Sequence, residues 1–334
     1  MNQISWGMIG CGEVTEVKSG PAFNKIAGSR LAAVMCRNGD KAKDYAQRHG
    51  VPKWYDDADK LLHDPEINAI YVATPPASHA EYTIRAAEAK KPVYVEKPMA
   101  RHSDECTQMI KACEKAGVPL FVAYYRRCLP AFLKIKELVA SGAVGEVRLV
   151  TINLYHPPRR EDLHCESLPW RVMPEIAGGG YFLDLASHQL DFLDFVFGPI
   201  VSAKGHAANQ AKWYPAEDVV SASFVFESGV MGTGMWCFTV SNSSRRDRTE
   251  MIGSRGKIIY STFERMPIRL ETNTGVEEFQ LPTPEHVQQP LIQTIVDELQ
   301  GRGTCPSTGL SAARTSRVMD AILNEWRRQQ VQSE

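Results

Sequence analysis

Short apolar runs alternate with helix-patterned stretches through the first third of the chain. This alternation limits the possible fold more than any other feature. Ile4–Ile9, Leu31–Cys36, Ala69–Ala73, Pro92–Val95 and Pro119–Ala123 read as strands. Asp40–His49, Asp56–His63, Ser78–Ala89 and Ser103–Ala116 read as the helices between them. Strands that alternate with helices imply βαβ units and a parallel sheet. The strand runs are continuously apolar, as expected where both sheet faces are covered.

The pattern changes after Tyr124. A helix is expected over Pro130–Ser141, with Pro130 in its first turn and Gly142 past its end. Strands then dominate: Glu146–His156, Val201–Ala208, Val219–Phe226, Val230–Thr239, Lys257–Ser261 and Ile268–Glu271. Val219–Phe226 alternates polar and apolar positions, and Glu227-Ser228-Gly229 has hairpin-turn character. The expected fold class is α/β: an N-terminal parallel sheet, then an α+β region on a large, mostly antiparallel sheet. Helices are expected over Tyr181–Phe197, Val287–Gln300 and Ser311–Gln329.

With 334 residues the chain can build two domains. Its formal net charge of −1 gives no hint of a nucleic-acid partner or a membrane surface. No apolar run reaches the about 18 residues a membrane helix needs. No secretory leader is visible, and eight cysteines without a Cys-x-x-Cys pair suggest reduced thiols. The expected location is the cytoplasm. His156, His164, Cys165 and Glu166 fall close together but match no zinc spacing, so no metal is expected.

Gly10-x-Gly12 falls where the first strand ends and a helix begins. There the first glycine permits a tight turn and the second lets backbone approach a pyrophosphate. Glu13, Val14 and Thr15 complete this candidate cofactor turn, with Thr15 replacing the usual third glycine. The second strand ends in Cys36-Arg37-Asn38, without the acid that would bind a ribose 2′-hydroxyl. Arg37 and Asn38 could hold a 2′-phosphate instead, which favours NADP(H), or Arg37 could be a solvated loop residue. Asp40 keeps NAD(H) possible. Thr74, Pro75, Pro76 and His79 form a rigid loop at the carboxyl edge of the sheet, where ligands bind; His79 could equally be structural.

Four further features complete a set: Ala73-Thr74-Pro75-Pro76, Glu96-Lys97-Pro98, Gly178-Gly179-Gly180, and Asp184-x-x-x-His188-x-x-Asp191. With these the chain resembles the glucose–fructose oxidoreductase / inositol dehydrogenase (Gfo/Idh/MocA) family over nearly its whole length. The resemblance implies a Rossmann domain over residues 1–123 and a substrate-binding and oligomerisation domain over 124–334. It also implies an NAD(P) cofactor, sugar, polyol or keto-sugar substrates, and a Lys-Pro peptide that is often cis.

Lys97, Asp184 and His188 are the candidate catalytic residues. A desolvated Lys97 can donate to a carbonyl or alkoxide oxygen; alone, it would read as a surface lysine beside Glu96. His188 can move a proton near neutral pH, and Asp184, four residues earlier on the helix, can orient it or meet substrate. Without the glycine run, Asp-x-x-x-His would read as a structural pair. Asp191 is expected to be structural. Tyr124, Arg126, His156 and Arg171 are the candidate substrate contacts, and Glu96 and Lys97 are placed with the cofactor residues.

The reading is hydride transfer between nicotinamide C4 and a carbinol or carbonyl carbon. Two alternatives stand beside it: a resident nucleotide acting as a redox relay in a net non-redox conversion or glycoside cleavage, and a non-catalytic dinucleotide sensor. An uncovered apolar sheet face would be a large exposed patch, so a homodimer or a tetramer of dimers through the second sheet is expected.

Overall fold

The computed structural model describes residues 1–164 and 166–333, the last three by backbone alone. The chain forms two compact units. One holds Met1–Leu129 and Thr283–Ala313; the other holds Pro130–Pro282 and the chain from Arg314 onward.

The first unit is built on six parallel strands: β1 (Ile4–Ile9), β2 (Ser29–Met35), β3 (Lys53–Tyr55), β4 (Ala69–Val72), β5 (Val93–Val95) and β6 (Leu120–Val122). Their order is β3-β2-β1-β4-β5-β6. Every residue of β1 and β4 is buried, which explains their unbroken apolar sequences. The connecting helices stop where their sequences say they should. Asn38 caps Gly39–His49 by accepting from the Lys41 amide, and Gly50 ends that helix at φ 64°. Gly117, at φ 70°, ends Ser103–Ala116. The strand order reverses between β1 and β4, and at such a switch point the loops leaving the strands form a ligand crevice.

Three residues long and only partly buried, β3 was not expected from the sequence. The division into units also differs from a single boundary at Tyr124, because Thr283–Ala313 rejoins the first unit. The physical reason lies at the open edge of β6. The Val122 amide donates to the Ser307 carbonyl (3.1 Å), and Ser307 Oγ donates to the Val122 carbonyl (2.7 Å). Arg127 Nη1 reaches the Pro306 carbonyl at 2.8 Å. The returning segment satisfies backbone groups that an edge strand leaves open.

The second unit carries eight strands: β7 (Val147–Tyr155), β8 (Ile200–Ala208), β9 (Val219–Phe226), β10 (Met231–Cys237), β11 (Arg246–Gly253), β12 (Gly256–Tyr260), β13 (Ile268–Thr272) and β14 (Gly275–Phe279). Their order is β14-β13-β12-β11-β7-β10-β9-β8, and only β7 and β10 pair in parallel. This is the expected large, mostly antiparallel sheet. The strands β11 and β14 were not expected, because Arg246–Glu250 and Glu277–Glu278 carry too many charges to read as strand.

One face of this sheet is dry. Its helices, Pro130–Ala140 and Ser187–Phe197, are locked by edge-to-face aromatic pairs: Phe132 on Phe192 at 4.8 Å and Phe192 on Tyr260 at 5.9 Å. Phe182 meets Trp236 at 5.0 Å, and the Trp236 indole N–H donates to Gln189 Oε1 at 2.7 Å. β10, which carries Trp236, is thinned by glycine beside these rings. A Cβ on Gly232 would stand 2.0 Å from the Phe224 ring, and one on Gly234 would stand 2.0 Å from Trp236. Gly234→Ala must therefore displace a fully buried indole. We expect it to lower stability by about 1–3 kcal/mol, read from guanidinium unfolding followed by tryptophan fluorescence; an unchanged midpoint would contradict this packing account.

Candidate active site

In the first unit the loops leaving β1, β4 and β5 carry the candidate cofactor residues. Gly10 has φ 107°, and a Cβ there would lie 2.6 Å from the Ala73 carbonyl oxygen. Only glycine permits that approach of the two loops. At Gly12 a Cβ would meet only the Ala73 oxygen, at 4.0 Å, so this backbone is open to a ligand. The helix that follows, Glu13–Val17, is five residues long. Its free amides, rather than a long macrodipole, are what it offers an anion. Thr15 is fully buried, and its Oγ1 donates to the Gly12 carbonyl at 2.7 Å. The Tyr45 hydroxyl donates to the Thr15 carbonyl at 2.7 Å, so a larger side chain is used where the usual third glycine would pack. Burial pushes the Cys11 thiol up to about 12, which keeps it protonated within the turn. These residues fit a dinucleotide: a tight glycine turn, an open second glycine and unpaired helix amides.

Asn38 spends its side-chain oxygen on the helix cap. Arg37 is exposed and, among the described residues, makes no ion pair. It lines an open groove of about 410 Å³ with Asp56, Asp57, Lys60, Tyr82 and Arg85. Arg85 is tied to Asp59 and Glu81, and Lys60 to Asp56.

His79 is fully buried and staples two loops together. Its Nε2 lies 2.7 Å from the Thr74 carbonyl, and Nδ1 lies 3.1 and 3.2 Å from those of Pro98 and Met99. It fixes Thr74-Pro75-Pro76 from behind. Glu96 is likewise buried. Its Oε1 accepts from the Tyr71 hydroxyl and from Gln288 Nε2, each at 2.6 Å, and its Oε2 accepts from the Lys97 amide at 3.2 Å. Tyr94 donates to Gln288 Oε1 at 2.7 Å. The Glu96 carboxylate thus ties the Lys97 loop to Tyr71 and Gln288. The Lys97-Pro98 peptide is cis.

Tyr124 is fully buried in the apolar cluster with Val95, Val122, Ala312 and Ala313. Arg126 is buried, with its guanidinium 5.1 Å from the Tyr125 ring centre.

In the second unit the triple glycine ends one helix and admits a buried acid. Gly178, at φ 85°, caps Pro174–Ala177. A Cβ on Gly179 would stand 2.8 Å from Leu183 Cδ1 and 3.1 Å from Glu217 Oε1. On Gly180 it would stand 2.7 Å from the Glu217 carbonyl oxygen. The Gly180 amide donates to Glu217 Oε1 at 2.8 Å. Glu217 is 1% exposed, and burial raises its pKa to about 7.

Asp184 does not lie on the continuous α-helix expected over Tyr181–Phe197. Phe182–Ala186 forms a π-helical turn, and the α-helix begins at Ser187. Single π turns inside helices recur at functional sites. Arg171 Nε lies 3.5 Å from Asp184 Oδ2, which joins two residues picked separately from the sequence. Arg171 also stacks on Trp170 at 4.6 Å. His188 is 3% exposed, with its ring edge-on to Phe263 at 6.0 Å. Phe263 belongs to a loop gathered by Asp247, whose carboxylate accepts from the amides of Thr262 (3.1 Å), Phe263 (2.6 Å) and Glu264 (3.2 Å), and from the Ser261 hydroxyl.

His156 follows β7 and is partly buried. Burial and Arg245 lower its pKa, leaving the imidazole neutral at physiological pH. His164 and Glu166 are exposed, and Cys165 lies outside the described residues. The remaining seven cysteines are free thiols.

Sequence reasoning passed over Glu217, Asp247, Phe263 and Gln288. Only Glu217-Asp218 left a trace, as an acid pair directly before an apolar strand.

A glycine turn at the switch point of a parallel sheet and a second, sheet-based unit with partly buried Asp184 and buried His188 define a class: NAD(P)-dependent dehydrogenases and reductases. Comparison with known proteins agrees. An oxidoreductase family with an NAD-binding Rossmann fold matches residues 4–124, and the GFO/IDH/MocA C-terminal domain matches residues 132–259. The chain belongs to the GFO/IDH/MocA oxidoreductase family. It is 39% identical over 321 residues to Oxidoreductase P35 of Formosa agariphila, covering 96% of this chain and 98% of that one. It is 28% identical to 1,5-anhydro-D-fructose reductase of Ensifer adhaerens, covering 91% and 90%. A solved levoglucosan dehydrogenase, in complex with NADH and levoglucosan, shares the fold at TM-score 0.87, 21% identity and 96% coverage of both chains.

The Glu217 environment has a thermodynamic consequence. A carboxyl held at about 7, against an ordinary 4.5, keeps its proton longer folded than unfolded. The folded state binds more protons across that interval, so this contribution is full below 4.5 and is lost as pH rises to about 7. Glu217→Gln removes it. Urea unfolding at pH 5 and pH 8 should show E217Q gaining on wild type as pH rises; a difference that stays flat would contradict the assignment.

Proposed function

We propose that this protein transfers hydride between nicotinamide C4 and a carbinol or carbonyl carbon of a sugar, polyol or keto-sugar. The observation that carries this reading is the buried His188 four residues after Asp184, at a π turn where Arg171 meets the aspartate. When bound, the nicotinamide supplies or accepts the hydride. Lys97 donates a hydrogen bond to the reacting oxygen and polarises it. His188 takes the proton of a reacting hydroxyl or returns it to a carbonyl oxygen. Asp184 orients this exchange, and Arg171 and His156 offer donors to neighbouring hydroxyls. Arg126 remains a candidate contact. Gly10, Gly12, Glu13 and Val14 would hold the pyrophosphate, with Thr15 bracing the turn through the Gly12 carbonyl, and Thr74, Pro75, Pro76 and Cys36 would frame the dinucleotide.

Support for sugar-like substrates comes from relatives such as the 1,5-anhydro-D-fructose reductase. We read NADP(H) as the preferred cofactor. Arg37 stands without an ion-pair partner among the described residues, in a groove that also holds Lys60, Tyr82 and Arg85, and no acid ends β2. Arg fits a phosphate bidentately. Asp40, Asp56 and Asp57 make NAD(H) the alternative.

The test joins binding to turnover. Fluorescence titration with NADPH and NADH should favour NADPH, and Arg37→Ala should reverse that order. Lys97→Ala and His188→Asn should each lower kcat by about 10²–10⁴-fold on keto-sugar or polyol substrates, and His188→Asn should leave dinucleotide affinity within a few fold. Full turnover in both variants would sink the mechanism.

The second sheet also supports a self-association reading. Its outer face carries a cross-strand apolar row, Val225–Met231–Leu149–Ile252, with Met231 60% and Leu149 38% exposed. Neutral Ser223, Thr233 and Thr151 lie beside it. We assign this face to a second copy of the chain, giving a homodimer or a tetramer of dimers. Met231→Glu, which puts a charge into that row, should yield monomer by light scattering at micromolar concentration; a wild-type protein already monomeric there contradicts the assignment. Among the described residues no helix is long and apolar enough to cross a membrane.

A further inference from the structure

Glu217 has no part in the chemistry above, yet a continuous path of bonds joins it to the residues that do. The Gly178–Gly180 turn is held at both ends. Arg327 Nη2 donates to the Gly178 carbonyl at 3.1 Å, and the Gly180 amide donates to Glu217 Oε1 at 2.8 Å. The Gly180 carbonyl in turn accepts from the Leu183 amide at 3.1 Å, which opens the π turn bearing Asp184. Ser187 Oγ closes that turn on the Asp184 carbonyl at 3.1 Å, directly before His188. The glycines leave no slack, because a Cβ at position 179 or 180 would press on Glu217 or Leu183. Tyr181, the next residue, is pinned by a second buried acid, with its hydroxyl donating to Asp162 at 2.6 Å.

We propose that Glu217 is a positioning residue for the reaction, holding the glycine turn through the Gly180 amide and thereby setting where the π turn presents Asp184 and His188. The alternative, an acid that merely fills space, would not account for glycine at both facing positions. Among the titratable groups facing Glu217, Arg327 from the last helix favours its ionised form, Asp218, its chain neighbour, opposes it, and burial keeps Tyr214 protonated. Its carboxylate grips the Gly180 amide more strongly than its neutral acid does, so the turn tightens as Glu217 ionises near neutral pH. This inference rests on reading Asp184 and His188 as the reacting pair, and its test needs no substrate or nucleotide.

The test is an imidazole spectrum. Protein labelled with ¹⁵N-histidine, free of added nucleotide, gives ring correlations, with His188 identified by its loss in His188→Asn. In Glu217→Ala the His188 signals should be displaced or broadened, while those of His79, in the other unit, stay in place. In Glu217→Gln, which keeps the acceptor, they should match wild type at pH 6 and diverge from it by pH 8. His188 signals that superimpose in E217A and wild type overturn the proposal. If E217A does not fold, E217Q decides alone, and a difference from wild type that is constant between pH 6 and pH 8 overturns it. Full turnover in H188N would sink the reaction mechanism without touching this result.

Discussion

A carboxylate out of water must find donors, and in this protein the donors are the loops that carry the candidate reacting groups. Glu96 takes the Tyr71 hydroxyl, the Gln288 amide and the amide of Lys97 itself. Glu217 takes the Gly180 amide ahead of Asp184. Asp247 takes three successive amides and so fixes Phe263 against the His188 ring. In each case the buried acid is one step removed from the chemistry. Each bond to a charged acceptor is worth about 1.5–3 kcal/mol, enough to hold a loop that apolar packing alone would leave free to shift.

This arrangement explains what could be read from sequence and what could not. Periodicity marks elements whose side chains choose a solvent or a core, so the parallel strands other than β3 and the helices between them were legible, and so was the alternation in Val219–Phe226. Periodicity fails for β11, where Arg246, Arg248 and Glu250 extend from a strand in the middle of the sheet and Glu250 pairs with Arg248 and with Lys257 of β12. It also fails for Thr283–Ala313, whose place is set by unpaired backbone on β6, nearly two hundred residues away in the chain. The π turn at Phe182–Ala186 leaves no trace in the spacing of Asp184 and His188, since a four-residue separation is compatible with either helix.

The candidate site was legible through glycine and through motif order. Gly10, Gly179 and Gly180 mark places where backbone must approach closely, and the structure supplies what approaches: the Ala73 carbonyl in one unit and Glu217 in the other. The supporting acids were invisible because burial of a charged residue depends on donors brought from elsewhere in the chain. Tyr124 is the opposite case: an aromatic next to Arg126 and Arg127 resembles a binding residue, and its ring is buried in the apolar core.

The energetics of Glu217 argue that its place was kept for more than stability. A pKa raised from 4.5 to about 7 means that the ionised form is disfavoured by about 3 kcal/mol relative to the unfolded chain. Against a typical net stability of about 5–15 kcal/mol, that is a substantial sacrifice at alkaline pH. A glutamine would give the Gly180 amide an acceptor without it, and an apolar side chain would remove the buried charge altogether. What a carboxyl adds is a bond that strengthens as the proton leaves. Near neutrality this tightens the turn before Asp184 over the same pH range in which an ordinary histidine changes charge. An acid in that position trades folding free energy for control of the geometry in front of His188.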